Sequence, residues 1–210
     1  MRPNLRTKRQ LITEPIGLQE ADLPKAATGK LLFGNDHPLE LEIGSGKGTF
    51  LTDQAKSRPD VNFVGLERAR KYWMYASDRL RRNGCLNTRM ILADAAIFLS
   101  ENLAASSLSA IHIYFPDPWP KNRHHKRRLI QGPFLEHAER VLEHGGRLHI
   151  VTDFEGYYQQ IEHVVRASRL KETEYRTPGS AADGEITGTN FERKYRREGR
   201  PFYAIAAVKT

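Results

Sequence analysis

Short apolar runs that alternate with amphipathic helical patterns from Leu39 onward constrain this chain more than any other feature. Strand-like runs fall at Leu39–Ile43, Val61–Leu66, Thr88–Leu92, Ala110–Phe115 and Leu148–Thr152. Between them, apolar residues recur at helical spacing. Ala69, Tyr72, Trp73, Ala76 and Leu80 put one stripe on a helix from Arg68 to Asn83 that stops near Gly84, so Tyr72 and Trp73 are both expected in the core. Leu135, Ala138, Val141 and Leu142 form a second stripe, ended by Gly145-Gly146; Tyr157, Ile161, Val164, Val165 and Ser168 form a third. A last strand, Phe202–Val208, follows a helix that Gly199-Arg200-Pro201 ends. Such alternation predicts an α/β fold: one mostly parallel sheet with helices on both faces, right-handed crossovers and an antiparallel C-terminal strand. The first 37 residues carry Pro3, Pro15 and Pro24 without periodicity, so residues 1–37 are expected to be an irregular arm, basic at its start, and 38–210 the domain.

Open sheets of this kind take ligands beyond the carboxyl ends of their strands. The first strand runs into Glu42-Ile43-Gly44-Ser45-Gly46-Lys47-Gly48, in which Gly44, Gly46 and Gly48 let the backbone turn tightly against a ligand. A dinucleotide fingerprint needs glycine at position 49, where this chain has Thr49. The spacing resembles instead the first motif of S-adenosylmethionine-dependent methyltransferases of the Rossmann-like class. Acids stand at the next two strand ends. Glu67 is placed to accept hydrogen bonds from ribose hydroxyls and Asp94 from an adenine amino group, while Glu42 adds negative potential beside a sulfonium and an ammonium. Asp94 also suits a helix N-cap.

The charge points to the partner. Lys plus Arg number 33 against 25 Asp plus Glu, a formal net charge of +8. The cations cluster in KNRHHKRR (121–128), in RKYRREGR (193–200) and in the Arg68–Asn83 helix. Runs of this kind with interleaved aromatics favour a nucleic acid, through phosphate contacts from Lys121, Arg123, Lys126, Arg127 and Arg128. His124 and His125 in the same run read as phosphate contacts rather than metal ligands. The single cysteine, Cys85, excludes a disulfide framework and a multi-thiolate zinc site, and it shows no mark of a nucleophile. No metal and no protein partner is called for. The opening MRPNLRTKRQ has no apolar core, and no stretch approaches the roughly 18 apolar residues of a spanning helix, so a cytoplasmic protein without membrane attachment is expected.

After the fourth strand comes Tyr114-Phe115-Pro116-Asp117-Pro118-Trp119-Pro120-Lys121, whose prolines hold an acid and an aromatic on a stiff loop. Pro116–Arg128 (PDPWPKNRHHKRR), Thr152-Asp153-Phe154 and Thr189-Asn190-Phe191-Glu192, with the glycine motif, resemble the bacterial tRNA (guanine-N7-)-methyltransferases. The resemblance implies a class I methyltransferase fold and methyl transfer from S-adenosylmethionine to N7 of a guanine in the tRNA variable loop, guanine-46 in tRNA numbering. It assigns Glu42, Glu67, Asp94 and Asp117 to the cofactor, with Asp117 also catalytic. Lys121, Asp153 and Thr189, Asn190, Phe191 and Glu192 go to the substrate. Guanine N7 carries no proton, so the reaction needs positioning and electrostatics rather than a general base. A second acid, Asp153 or Glu192, would accept from guanine N1–H and the exocyclic amine and so reject adenine.

Structural roles compete for several of these residues. Thr189-x-x-Glu192 also has the form of a capping box, Trp119 suits a plug at the sheet edge, and His112 suits a hydrogen-bonded interior residue. Pro178–Gly188, with three glycines and no periodicity, is expected to be mobile until RNA binds. Three other functions are weighed. Methylation of exocyclic amines uses a D/N-P-P-aromatic loop, and here one proline precedes the aromatic. A nicotinamide dehydrogenase is disfavoured by Thr49. A non-catalytic RNA-binding module leaves the strand-end acids without purpose.

Overall fold

The computed structural model describes residues 10–210, and the basic residues among the first nine lie outside that range. In chain order the strands are β1 Gly17–Gln19, β2 Leu39–Ile43, β3 Asn62–Glu67, β4 Thr88–Leu92, β5 Leu108–Tyr114, β6 Leu142–Thr152, β7 Lys171–Thr173 and β8 Tyr203–Val208. The helices are α1 Gly29–Phe33, α2 Thr49–Ser57, α3 Arg70–Arg82, the short α4 Ala95–Ile97, α5 Gly132–Val141, α6 Glu155–Ala167 and α7 Asn190–Arg197. The eight strands among the described residues form one sheet in the order β1-β4-β3-β2-β5-β6-β8-β7. Pairings from β1 through β6 are parallel; β8 runs antiparallel to β6 and β7 antiparallel to β8. The chain leaves β2 toward β3 and β4 on one side and returns to β5 and β6 on the other. A crevice therefore opens between β2 and β5, where open α/β sheets bind ligands.

Strand alternation sorts the core into two layers. Leu41, Ile43, Val64, Ile91, Ile113 and Ile150 pack on one face, with α5 and α6 residues such as Leu135 and Ile161. Phe63, Met90, Tyr114 and Val151 pack on the other, with Phe50 and Leu51 of α2 and Trp73 and Leu80 of α3. Burial of each such side chain contributes roughly 1.5–3 kcal/mol.

Four expectations are corrected here. The arm is not wholly irregular, because Gly17–Gln19 pairs parallel with Met90–Leu92 and Ile16 is completely buried. Gly17 is required there, since a Cβ would stand 2.7 Å from the Trp73 ring. The helix expected to run through Leu142 ends at Val141, because Leu142 pairs with Leu108 and begins β6, which bulges through Gly145-Gly146 before resuming its register. The strand expected to reach Phe115 ends at Tyr114, and Phe115 turns into the left-handed region. Tyr72 is not core: the buried stripe of α3 is Trp73, Ala76, Ser77 and Leu80, and Tyr72 is 43% exposed. Trp73 is buried, with its indole N–H donating to the Met90 carbonyl. Among the described residues, no helix is long and apolar enough to cross a membrane, and no group of three or more His, Cys, Asp or Glu could hold a metal ion.

Candidate active site

Beyond the carboxyl ends of β2 to β5 lies a cleft of about 1030 Å³. Its walls are the Glu42–Lys47 turn, Glu67 to Ala69, Asp94, Tyr114 to Asp117 with Trp119, and Thr189 to Phe191. Gly44, Gly46 and Gly48 all have positive φ, which only glycine adopts without strain. Glu67 pins this turn. One carboxylate oxygen accepts from the Gly46 amide at 2.9 Å and the other from the Ala69 amide at 2.8 Å. Each oxygen retains a second lone pair for a ligand hydroxyl.

Two glutamates on the same face of β2 meet opposite fates. Glu40 is clamped by the Arg58 guanidinium at 2.6 and 3.0 Å and by His112 Nε2 at 3.0 Å. Burial alone would raise its pKa, but the His112 and Arg58 contacts outweigh it and hold Glu40 at about 2. His112 also meets the Tyr114 hydroxyl at 2.9 Å, so it is the satisfied interior residue its strand position predicts. Glu42 is only 5% exposed and faces the cleft, yet no cation reaches it and its Oε2 has no hydrogen-bond partner among the described residues. Burial, with a smaller contribution from the Glu67 charge, pushes its pKa up to about 8 against a hydrogen bond from Ser45. An unpaired buried carboxyl aimed into a cleft costs stability unless a ligand compensates it. The donor set thus suits a ligand carrying positive charge, and S-adenosylmethionine fits that description.

This arrangement predicts a proton release. Near pH 7 Glu42 in the free protein is largely protonated, and a bound cation favours the carboxylate. Calorimetry in buffers of different ionisation enthalpy should show about one proton released per cofactor bound near pH 7, and little above pH 9. Affinity should climb as pH rises toward the Glu42 pKa and level off beyond it. The stability linkage runs the other way: the folded-state pKa lies above the ordinary 4.5, so Glu42 lowers stability progressively from there up to about pH 8. Proton release that persists unchanged in Glu42→Gln would assign it to another group.

Asp94 Oδ1 caps α4 by accepting from the Ala96 amide at 3.0 Å, and Oδ2 lies 3.6 Å from Arg68. Asp117 is exposed in the cleft on a loop with fixed prolines, between Phe115 (φ 52°) and Trp119 (φ 43°). Non-glycine residues at positive φ are characteristic of functional loops whose surroundings hold them. Trp119 lines the cleft rather than plugging an edge, with Arg127 over its ring at 4.9 Å and His124 edge-on. Thr189 caps α7 by accepting from the Glu192 amide at 3.1 Å. Asn190 donates to Thr49 Oγ1 at 2.6 Å and so ties α7 to the start of α2. Phe191 is 48% exposed and lies against Gly46.

The cleft therefore unites Glu42, Gly44, Gly46, Glu67, Asp94, Asp117, Arg127, Thr189, Asn190 and Phe191. Other expected site residues lie outside it. Gly48 does not line the cleft; a Cβ there would stand 3.0 Å from Ala76 Cβ, so its glycine lets α2 approach α3. Lys121, Arg123 and Lys126 are exposed on the adjoining 3-10 turn. Arg128 is not available as a phosphate contact. It is 4% exposed, its guanidinium donates to the Pro118 and Gly156 carbonyls and to Gln160 Oε1, and it lies over the Tyr157 ring. Glu192 cannot read a base edge. It is fully buried and accepts from the Ile186, Thr187 and Gly188 amides, the Thr187 hydroxyl and Arg196. Asp153 pairs with Arg200 at 2.7 Å. The 178–188 segment, expected to be mobile, is anchored through Gln54 to Ser180, Tyr175 to Ile186, and Glu192.

Sequence reasoning missed Arg68, Tyr72, Tyr114 and Lys194 as cleft residues. One carried a readable signal, since Lys194 lies one helical turn after Asn190 on α7.

Residues 36–205 match the sequence family described as "Putative methyltransferase". A tRNA (guanine-N(7)-)-methyltransferase of Rhodopirellula baltica is 37% identical over 90% of this chain and 72% of its own length. The enzyme of that name from Streptococcus gordonii is 33% identical over 88% of both chains. Among solved structures, an antibiotic-related methyltransferase superposes with a TM-score of 0.64 at 14% identity, covering 87% of this chain and 94% of its own. A SAM-dependent methyltransferase from Aquifex aeolicus gives 0.58 at 13% identity, covering 85% and 86%. The fold is thus that of the Rossmann-like methyltransferases, and the chain belongs to the tRNA (guanine-N(7)-)-methyltransferase family.

Proposed function

We propose that this protein transfers a methyl group from S-adenosylmethionine to N7 of a guanine in the variable loop of tRNA, guanine-46 in tRNA numbering. The observation that carries the reading is the unpaired Glu42 carboxyl, buried in the same cleft as the Asp117 loop. When bound, S-adenosylmethionine supplies an electrophilic methyl group on a positively charged sulfur. Glu42, Glu67 and Asp94 would hold it, with the Gly44–Gly46 turn allowing close backbone approach. Asp117 stands on the stiff proline loop where positive charge passes to the guanine, and its carboxylate stabilises that displaced charge. No group is required to take a proton from N7. Of the two acids considered for the base edge, Asp153 is the one left. Its carboxylate and that of Asp117 both act on the Tyr195 hydroxyl, which burial and these charges push above its ordinary pKa. The exposed Lys121, Arg123, Lys126 and Arg127 supply phosphate contacts beside the loop, and a cytoplasmic location follows from the substrate.

Mass spectrometry of nucleosides from tRNA incubated with the protein and labelled methyl donor should yield 7-methylguanosine in the variable loop. Label in an exocyclic amine would favour the rival methyltransferase chemistry instead. Asp117→Asn, which keeps shape and removes charge, should lower kcat by about 10²- to 10³-fold with tRNA affinity within about twofold. An unchanged kcat would remove Asp117 from the catalytic step.

A further inference from the structure

We propose that the outer face of α3 is a second tRNA-contact surface, on which Tyr75 stacks against an unpaired base or ribose while Lys71 and Arg79 meet phosphates. The inference rests on tRNA being the substrate, and it concerns residues outside the family motifs.

Tyr72, Tyr75, Arg79 and Arg82 are spaced by three, four and three residues, which places them in one stripe along one face of α3, and Arg68 lies just before its N-cap, Ala69. The stripe starts at the cleft, because Arg68 and Tyr72 line it. It runs away from the cleft for about 15 Å between Tyr72 and Arg82, at roughly 1.5 Å per residue. This rim is one of the borders over which a substrate reaches the cleft, beside the Phe115–Trp119 loop and the Thr189–Phe191 wall.

The two tyrosines are not explained by the fold. Tyr72 and Tyr75 are 43% and 45% exposed, belong to neither core cluster, and their hydroxyls make no hydrogen bond to the described residues. A pair of exposed aromatic rings inside a basic field is the composition of a single-strand stacking platform.

The charges are arranged to leave that field positive. Asp78 is the only acid between Arg68 and Arg82. It is 1% exposed and holds Arg81 and Arg82 at 3.1 and 3.2 Å. Arg70 lies over the Trp73 ring. Arg79 donates to the Thr49 hydroxyl and the Lys47 carbonyl, which fix its position without neutralising it. Lys71 is exposed and pairs with no acid among the described residues. A polyanion complements this surface, whereas a protein partner would have to supply its own acids.

The test is the equilibrium binding of an unmodified tRNA transcript, with cofactor affinity measured in parallel and wild-type methylation of the same transcript as an independent check of the substrate. Tyr75→Ala should weaken tRNA binding about tenfold, and Tyr75→Phe less than twofold, because stacking needs the ring and not the hydroxyl. Lys71→Ala should weaken binding and reduce the salt slope by about one. Cofactor affinity should stay within about twofold for all three. Tyr75→Ala and Lys71→Ala that both bind tRNA like the wild type would overturn the proposal, as would a Tyr75→Ala variant whose only change is a loss of self-association in sedimentation. A wild type that fails to methylate the transcript yet shows the Tyr75 dependence would strike the substrate reading and leave the surface standing.

Discussion

Replacing Arg128 with alanine should cost about 3 kcal/mol of stability and lower Tm by roughly 10 °C, while Arg127→Ala should change stability by less than about 0.5 kcal/mol. The two arginines are adjacent in a run of cations and differ in every contact that matters. Arg128 is buried and holds three oxygens on two separate segments, joining Pro118 in the Asp117 loop to Gly156 and Gln160 of α6. Its removal strands acceptors that no water replaces easily, and it frees the loop that presents Asp117. A fall in kcat of roughly 10- to 100-fold with an unchanged salt slope for tRNA binding is therefore expected. Lysine should not rescue it, because one ammonium cannot span the fork of Nε and Nη1 contacts. Arg127 should show the converse: normal folding, weaker tRNA binding and a flatter salt dependence. Thermal melts and salt titrations of both variants decide the matter, and equal behaviour of the pair would overturn the division.

Glu192→Ala should reduce kcat/KM for tRNA by more than about 100-fold while cofactor affinity falls far less, and hydrogen exchange should accelerate at the amides of Ile186, Thr187 and Gly188. The carboxylate collects those three amides at 2.6, 2.7 and 3.0 Å and is itself held by Arg196 at 2.8 Å. Each orphaned buried donor costs about 1–3 kcal/mol before the segment relaxes. What relaxes is the approach to Thr189, Asn190 and Phe191, which form one wall of the cleft. Burial alone would raise the Glu192 pKa, but the amides and Arg196 outweigh it and keep it below the ordinary carboxylate range. Its contribution to stability is thus fully present above pH 4.5 and is lost as pH falls through the lowered value. Normal exchange at the three amides, with altered choice between guanine and adenine substrates, would restore Glu192 as a reader of the base.

These two residues show where reading a sequence stops. The strands of the sheet centre were legible because burial on both faces makes them short apolar runs between helical patterns, and the glycine turn because its spacing is tied to backbone angles. The acids at Glu42, Glu67 and Asp94 were legible because parallel sheets send ligands to strand ends. Arg127 and Arg128 carry the same side chain one residue apart, and only the docking of α6 decides which one turns inward. Glu192 was half legible. The Thr189 cap forms, but the glutamate reaches back to the 186–188 amides and not to the Thr189 amide that a capping box would use. Tyr72 was misplaced because a helical stripe defines a face to within about a residue, and the face of α3 centres on Trp73, Ala76 and Leu80. Gly17–Gln19 is only three residues long, too short for any period to show.

That three-residue strand has a practical side. The family match begins at residue 36, whereas the sheet begins at Gly17. A shortened version cut to the matched region would keep every group in the cleft and still strip the cover from the outer side of β4, uncovering Met90–Leu92, to which β1 is hydrogen-bonded. Bare backbone of that kind recruits a neighbouring molecule's strand. Minimal versions trimmed by homology would then precipitate for reasons unconnected with methyl transfer.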